Sequence, residues 1–266
     1  MIPIPPVLLV GFGKMGGAMA AGWREEGLSP SVAVDPTLPA SRDPNLAVMA
    51  GAADIPSGFA PAAIVFAVKP QQAAATLPLY ARYADQAVML SIMAGASIAN
   101  IRALIGGHAQ IVRAMPNTPA AVRQGFTVAC AAADVTEPQR ALCDRLLHAI
   151  GEVVWTQDEA VLDPVTAVSG GGPAYVFLLA ELLERAAIEQ GIPPDLARRM
   201  ARKTVSGSGA LLAASSEDAA ILRRNVTSPA GTTERALAVL MAEDAWPAAI
   251  SRAIAAATAR SRELAG

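Results

Sequence analysis

Short apolar runs recur through the first two thirds of the chain, and each stops at a glycine, a proline or a polar residue. Val7–Val10 (VLLV), Ser31–Val34 (SVAV), Ala63–Val68 (AIVFAV), Ala87–Ile92 (AVMLSI) and Gln110–Met115 (QIVRAM) read as strands. They are continuously apolar rather than alternating, the pattern of strands buried on both faces. Helical spacing fills most gaps between them. A small-residue stretch from Met15 to Glu26, closed by Gly27, follows the first strand, and Ile98–Ile105 (IANIRALI) follows the fourth. Strands alternating with helices imply parallel pairing through right-handed crossovers. No convincing strand follows Trp155.

The texture changes near Pro164. Pro173–Gly191 reads as one long helix, with proline in its first turn and glycine as its stop. Four further helical stretches follow: PDLARRMARKTVSGSGALLAAS, EDAAILRR, ERALAVL and PAAISRAIAAATARSREL. The expected organisation is an α/β domain over residues 1–160 and an all-α domain over residues 161–266. No repeat of 20 to 50 residues is visible.

Composition narrows the function. Lys plus Arg is 21 and Asp plus Glu is 23, a net charge of −2 that gives no handle for nucleic acid or an anionic membrane. Aromatic residues make up 4%, too few for base-stacking platforms. The N-terminal MIPIPPVLLV has neither the basic region nor the long apolar run of a secretion signal, and no segment offers about 18 uninterrupted apolar residues. A soluble cytoplasmic protein is expected. Cys130 and Cys143 lack metal-binding or redox spacing and read as buried, reduced thiols. His108 and His148 read as structural or exposed, and no metal is expected.

Gly11, Gly13 and Gly16 form G-x-G-x-x-G between a strand and a helix, the context a dinucleotide needs. The first glycine permits the turn, the second lets backbone approach a pyrophosphate, and the third lets helix and strand pack closely. Phosphates then meet the free N–H groups of the helix start. Val10, Gly11, Phe12, Gly13, Lys14, Met15 and Gly16 are therefore assigned to cofactor binding. Asp35 ends the second strand about 20 residues on, where an acid binds ribose hydroxyls and repels a 2′-phosphate. That favours NADH over NADPH. Against it, Arg42 is close enough in sequence to serve a phosphate, and Asp35 precedes Pro36 and could instead start a turn. AVKP (Ala67, Val68, Lys69, Pro70) and SIMAG (Ser91–Gly95, with Ala94) also end strands and are expected near the ribose and nicotinamide; Lys69 either lines the site or is a solvated loop lysine.

GFGKMG, AVKP, RAMPNTP from Arg113, VSGGGPAY from Val168 and TSPAGTT from Thr227 occur in the order seen in pyrroline-5-carboxylate reductases. The resemblance covers nearly the whole chain, and RAMPNTP and the glycine-Pro-Ala-Tyr segment are its specific parts. It implies an N-terminal Rossmann dinucleotide-binding domain and an all-α C-terminal dimerisation domain. It implies a homodimer, often built into a decamer, with the active site between the cofactor loops and the helical domain. It implies hydride transfer from NADH or NADPH to L-1-pyrroline-5-carboxylate, giving L-proline. By position, Thr233 matches the family threonine that hydrogen-bonds the ring nitrogen, Gly231 and Thr232 the amides that bind the substrate carboxylate, and Asn225 a cofactor contact. Ser169 joins the substrate-binding set. The family acid near Ser216 is not aligned, and Glu217 is its nearest candidate. Two positions depart from the pattern: Gly171 stands where the family has Ser or Asn, and Ala230 where it has glycine. Ala230 adds a methyl where backbone approaches a ligand and is ill suited to positive φ.

The lead-in to the last-but-one helix, NVTSPAGTT, is read as helix cap and anion cradle together. A protonated imine needs orientation more than acid–base apparatus, and alignment can lower a barrier by roughly 7–11 kcal/mol. The chain accordingly shows no Ser/His/Asp or paired-carboxylate constellation. Arg113 and Asn117 either fix the strand-end turn, or Asn117 contacts substrate. Two rival readings remain: a β-hydroxyacid dehydrogenase, whose helical catalytic lysine the ARKTVSG setting of Lys203 matches poorly, and a dinucleotide-binding regulatory protein without turnover.

Overall fold

The computed structural model describes residues 2–265. Its first half is an eight-stranded sheet. β1 (Val7–Val10) runs into α1 (Lys14–Glu25), followed by β2 (Ser31–Val34), β3 (Leu46–Met49) and β4 (Ala63–Phe66). After α2 (Ala73–Thr76) and a long 3-10 turn come β5 (Val88–Ser91), α3 (Ile98–Ile105) and β6 (Ile111–Met115). β7 (Gly125–Ala131), α4 (Glu137–His148) and β8 (Gly151–Thr156) complete it. The five strands and the α3 helix expected from apolar patterning are present, and β3, β7 and β8 are additions.

The strand order is β3-β2-β1-β4-β5-β6-β7-β8. β1 lies between β2 and β4, with Val10 level with Val34 on one side and Phe66 on the other. The order reverses there, which opens a crevice beyond the strand ends. Pairing is parallel from β3 to β6, but β7 is antiparallel to β6, correcting the expectation of uniformly parallel strands. The cause is the connection: residues 116–124 hold only a short 3-10 helix (Thr118–Val122), too short for the helical crossover that a parallel return requires.

Both faces of the sheet are covered. On one, Trp23 of α1 is fully buried and its indole N–H donates to Leu146 O of α4 at 2.8 Å. On the other, Phe66 meets Tyr80 edge to face, with ring centroids 5.8 Å apart, beside Ile101 of α3.

α5 (Leu162–Val165) and a π-turn (Thr166–Gly170) lead into α6 (Gly172–Glu189), α7 (Pro194–Ala214), α8 (Ala219–Asn225), α9 (Thr232–Leu240) and α10 (Trp246–Ala265). The chain divides into two compact units: residues up to Gly170 together with Ala257 onward, and Gly171–Ala256. The division falls at 170/171 rather than 160/161. Leu162 is buried against Val128 and Cys130 of β7, so α5 belongs to the sheet's core. Within the helical unit α6 packs on α7, and Arg198 reaches Glu184 at 3.5 Å. The helical run Glu159–Glu189 is long and apolar enough, by length and composition, to cross a membrane. Val176, Phe177, Leu178, Leu182 and Leu183 on α6 are exposed.

Candidate active site

The glycine turn has the strain its sequence demands. Gly11 sits at φ +93°, and a Cβ there would stand 2.7 Å from Ala67 O at the end of β4. No L side chain fits that turn. Gly16 packs against the carbonyl of Gly11 itself, so the third glycine closes the helix on the turn. Gly13 is the residue before α1 and provides no side-chain cap, while the space beyond its Cα is open. The first N–H groups of α1 are thus left without side-chain partners, facing free space, as a pyrophosphate requires.

Asp35 is buried and its carboxylate is fully engaged. Oδ2 accepts the N–H of Phe12 at 2.8 Å, and Oδ1 accepts the N–H and hydroxyl of Thr37 at 2.9 and 2.6 Å. Burial alone pushes this carboxyl up, but the hydrogen bonds from Thr37 and Phe12 outweigh it and hold it below its ordinary value. The acid therefore starts a turn, as Pro36 suggested, and also presents a negative charge to the crevice. Arg42 is exposed and does not line that crevice.

A cavity of about 410 Å³ lies over the ends of β1, β2 and β4. Of the residues expected to hold the cofactor, Val10, Gly11, Gly13, Asp35, Ala67, Val68 and Lys69 line it. Phe12, Lys14, Met15, Gly16, Pro70 and Ala94 do not; Phe12 and Met15 pack on the core instead. The opposite wall had no sequence signal: Ala50, Gly51 and Ala52 after β3, and Gln72, Thr76, Leu79 and Tyr80 after β4. Burial, followed by the neighbouring Tyr83, pushes the Tyr80 hydroxyl up to about 12, so it remains a neutral donor. Size, the uncapped helix start and the acid at the β2 end together fit a dinucleotide.

The RAMPNTP segment resolves into two roles. Arg113 is buried, paired with Glu159 at 3.0 Å and Asp163 at 3.6 Å, and fixes the end of β6. Asn117 Oδ1 accepts the N–H of Phe126 at 2.9 Å, and its Nδ2 donates to Ser169 Oγ at 3.1 Å. Asn117 and Ser169, both expected at the substrate site, are thus brought together.

In the helical unit, Gly231 occupies the position before α9 and no side chain caps the helix, which corrects the expected hydroxyl cap. Thr227 Oγ1 instead donates back to Arg223 O at 2.7 Å, and Glu234 accepts the N–H of Ala230 at 2.8 Å. Thr232 and Thr233 stand in the first turn, exposed, beside N–H groups that have no intrahelical partner. Ala230 adopts φ +57°, left-handed backbone that alanine resists. Gly171 lies at φ −80°, where any residue fits. Asn225 Nδ2 donates to Glu217 Oε2 at 3.4 Å, joining the expected cofactor contact to the candidate acid.

The remaining reactive groups are accounted for elsewhere. Both thiols are buried, and His108 and His148 are exposed. His148 pairs with Asp144 at 3.1 Å, one turn away on α4.

The glycine turn, its crevice and the attached helical unit define an oxidoreductase that uses a nicotinamide dinucleotide. Residues 159–264 match the family model described as pyrroline-5-carboxylate reductase dimerisation. The pyrroline-5-carboxylate reductase of Pseudomonas aeruginosa is 36% identical over 269 residues, covering 98% of this chain and 97% of that one. That of Synechocystis is 40% identical over 201 residues, 76% of this chain and 74% of the relative. The crystal structure of Plasmodium falciparum pyrroline carboxylate reductase with NADP bound superposes with TM-score 0.86 at 26% identity, covering all of both chains. The chain belongs to the pyrroline-5-carboxylate reductase family.

Proposed function

We infer that the chain reduces L-1-pyrroline-5-carboxylate to L-proline with NADH or NADPH, the last step of proline biosynthesis. The observation that carries this is the match to the Pseudomonas reductase over nearly the full length of both chains, with a dinucleotide-shaped crevice under the glycine turn. The bound dinucleotide supplies the hydride. The chain's own residues bind and orient. The N–H groups at the start of α1 meet the pyrophosphate, and Gly11 keeps side chains out of its path. Asp35 stays ionised at neutral pH and repels a 2′-phosphate, which favours NADH. Asn225 adds a contact from the helical unit.

The substrate carboxylate is assigned to the start of α9, on the N–H of Thr232, since the Gly231 N–H already donates to Ser228 O at 3.0 Å. Asn117 and Ser169 are assigned to the substrate as polar partners. The Thr233 hydroxyl hydrogen-bonds the ring nitrogen and keeps the imine aligned. With the nitrogen protonated, alignment is the main requirement, and no general acid of unusual pKa is needed.

The exposed apolar residues of α6, which lie all round the helix, support self-association. Aliphatic and aromatic side chains left uncovered on one helix mark an interaction surface. A homodimer through this unit, and a decamer built from dimers, is the assembly we propose, in the cytoplasm, where two unpaired buried thiols stay reduced.

The test is oxidation of NADH and of NADPH by the purified protein with L-1-pyrroline-5-carboxylate, against piperideine-2-carboxylate. Rapid turnover of the five-membered ring and slow turnover of the six-membered one is expected. Dinucleotide binding without turnover of either would overturn the reading.

A further inference from the structure

The turn between β5 and α3 is held from two sides by groups that the reaction does not use. Gly95 in this turn sits at φ +74°, and a Cβ on it would stand 2.6 Å from Leu264 Cβ and 3.3 Å from Ser261 O. The last turns of α10 therefore rest directly on its backbone. At its far end, Glu159 Oε1 accepts the N–H of Ile98, the first residue of α3, at 2.7 Å. The same oxygen accepts from Arg113 at 3.0 Å. Ser261 Oγ donates to Asp163 Oδ1 at 2.8 Å, and Arg113 Nη2 lies 3.6 Å from that oxygen. A polar chain, buried except at Glu159, thus runs from α10 through α5 and Arg113 of β6 to α3.

Two features make this more than packing. Ser261 is 3% exposed on a helix rich in alanine, where an alanine would also fill the space. A buried hydroxyl that donates to a carboxylate fixes the helix in one rotation and one height, which apolar contact alone does not. The turn it rests on also has a telling address. β5 pairs directly with β4, whose end (Ala67–Lys69) lines the dinucleotide cavity. Ligands of such sheets lie beyond these strand ends. A displacement of about 1 Å in a supporting segment can cost on the order of a hundredfold in rate.

We propose that Ser261, through Asp163, is a positioning residue: it seats the end of α10 on the β5–α3 turn and so sets that turn's place beside the bound dinucleotide. The kinetic part rests on the reductase reading above; the binding part does not need turnover.

The experiment compares wild type, Ser261→Ala and Ser261→Thr as full chains. It measures Tm, the Kd of NADH and NADPH by fluorescence, amide hydrogen exchange over residues 92–98, and kcat and KM with L-1-pyrroline-5-carboxylate well below each Tm. For Ser261→Ala, the expected result is a rise of about fivefold or more in dinucleotide Kd and KM, with the imine KM changed less than twofold. Exchange over 92–98 is faster, and Ser261→Thr recovers wild-type binding. A lowered Tm with dinucleotide Kd, KM and kcat all within twofold of wild type would overturn the proposal, as would a threonine variant as weak as the alanine one. If Ser261→Ala does not fold, Asp163→Asn is measured instead, and the same shift in dinucleotide Kd is required. No turnover by wild type would sink the reductase reading, while the Kd and exchange results would still decide the role of Ser261.

Discussion

Asp35 Oδ2 accepts the N–H of Phe12 at 2.8 Å, so the acid that ends β2 braces the turn that ends β1. Its other oxygen is committed to Thr37. Removing the side chain leaves a half-buried N–H unpaired, worth about 1–3 kcal/mol, in the turn that must hold the pyrophosphate. Asp35→Ala is therefore expected to weaken both dinucleotides. NADH should lose about tenfold in Kd or more, and NADPH less, because the charge that repels its 2′-phosphate is gone. Fluorescence titration with both cofactors checks this. Equal losses would leave Asp35 as a brace without a selective role, and no loss for either would remove the brace.

The same carboxylate gives a pH signature of known sign. Its folded pKa lies below the ordinary 3.8, because hydrogen bonds from Thr37 and Phe12 outweigh burial. A depressed acid stabilises the fold fully above the unfolded value and loses that contribution as pH falls through the folded one. The stability gap between wild type and Asp35→Asn should stay constant from pH 7 to about 5 and close below about 4. Urea unfolding at several pH values measures it. A gap that widens as pH falls from 7 toward about 4 would mean that burial wins and the pKa is raised.

The thiols should be inert. Burial, and then the charge of Asp144, pushes Cys143 up to about 12; burial is also the main cause of the rise at Cys130. Only the thiolate is nucleophilic. Neither thiol of the native protein should react with a disulfide reagent at pH 8 on the timescale that labels both in urea, and activity should survive the treatment. Fast labelling of Cys130 with loss of activity would reopen a role for it.

The parts of the fold legible in the sequence were those where burial is symmetrical. β1, β2, β4, β5 and β6 are covered on both faces and read as mainly apolar runs, broken only by Ser31, Ser91 and Arg113. β3 and β8 are the outer strands and alternate in exposure, with Glu152 on the open side of β8, so no apolar run marks them. β7 begins at a glycine and buries Thr127, which hides it in the same way. Its antiparallel direction depends on the length of the 116–124 connection, which local patterning does not read. Missing β3 also hid Ala50–Ala52, and with them part of the cofactor crevice. The cap on α9 was misread for a geometric reason. A hydroxyl caps only from the one residue before the helix, and Gly231 holds that place, with Ser228 too early and Thr232 already inside.

Ala230 at φ +57° should be relieved by glycine. A left-handed L-residue costs about 1–2 kcal/mol, and glycine's greater unfolded freedom gives back roughly 0.5–1. Ala230→Gly is expected to raise unfolding free energy by about 0.5–1 kcal/mol, as read by urea denaturation with an unchanged m value. A destabilised variant would show that the backbone here is not strained in solution.

Thr233 separates catalysis from folding because α9 takes no cap from a hydroxyl. Valine keeps the branched shape of threonine and much the same helix propensity, so Thr233→Val should change stability by less than about 0.5 kcal/mol. A hydrogen bond to a group carrying charge is worth about 1.5–3 kcal/mol, so the same change should lower kcat/KM for the imine by about ten- to a hundredfold. Thr233→Ser retains the hydroxyl and should keep most of the activity. Dinucleotide Kd should not move, since the hydroxyl is assigned to the substrate. Steady-state kinetics with both variants, beside their unfolding curves, measures each of these. If Thr233→Val turned over the imine at the wild-type rate, the ring nitrogen would be held by another group, and the helix start would bind only the carboxylate.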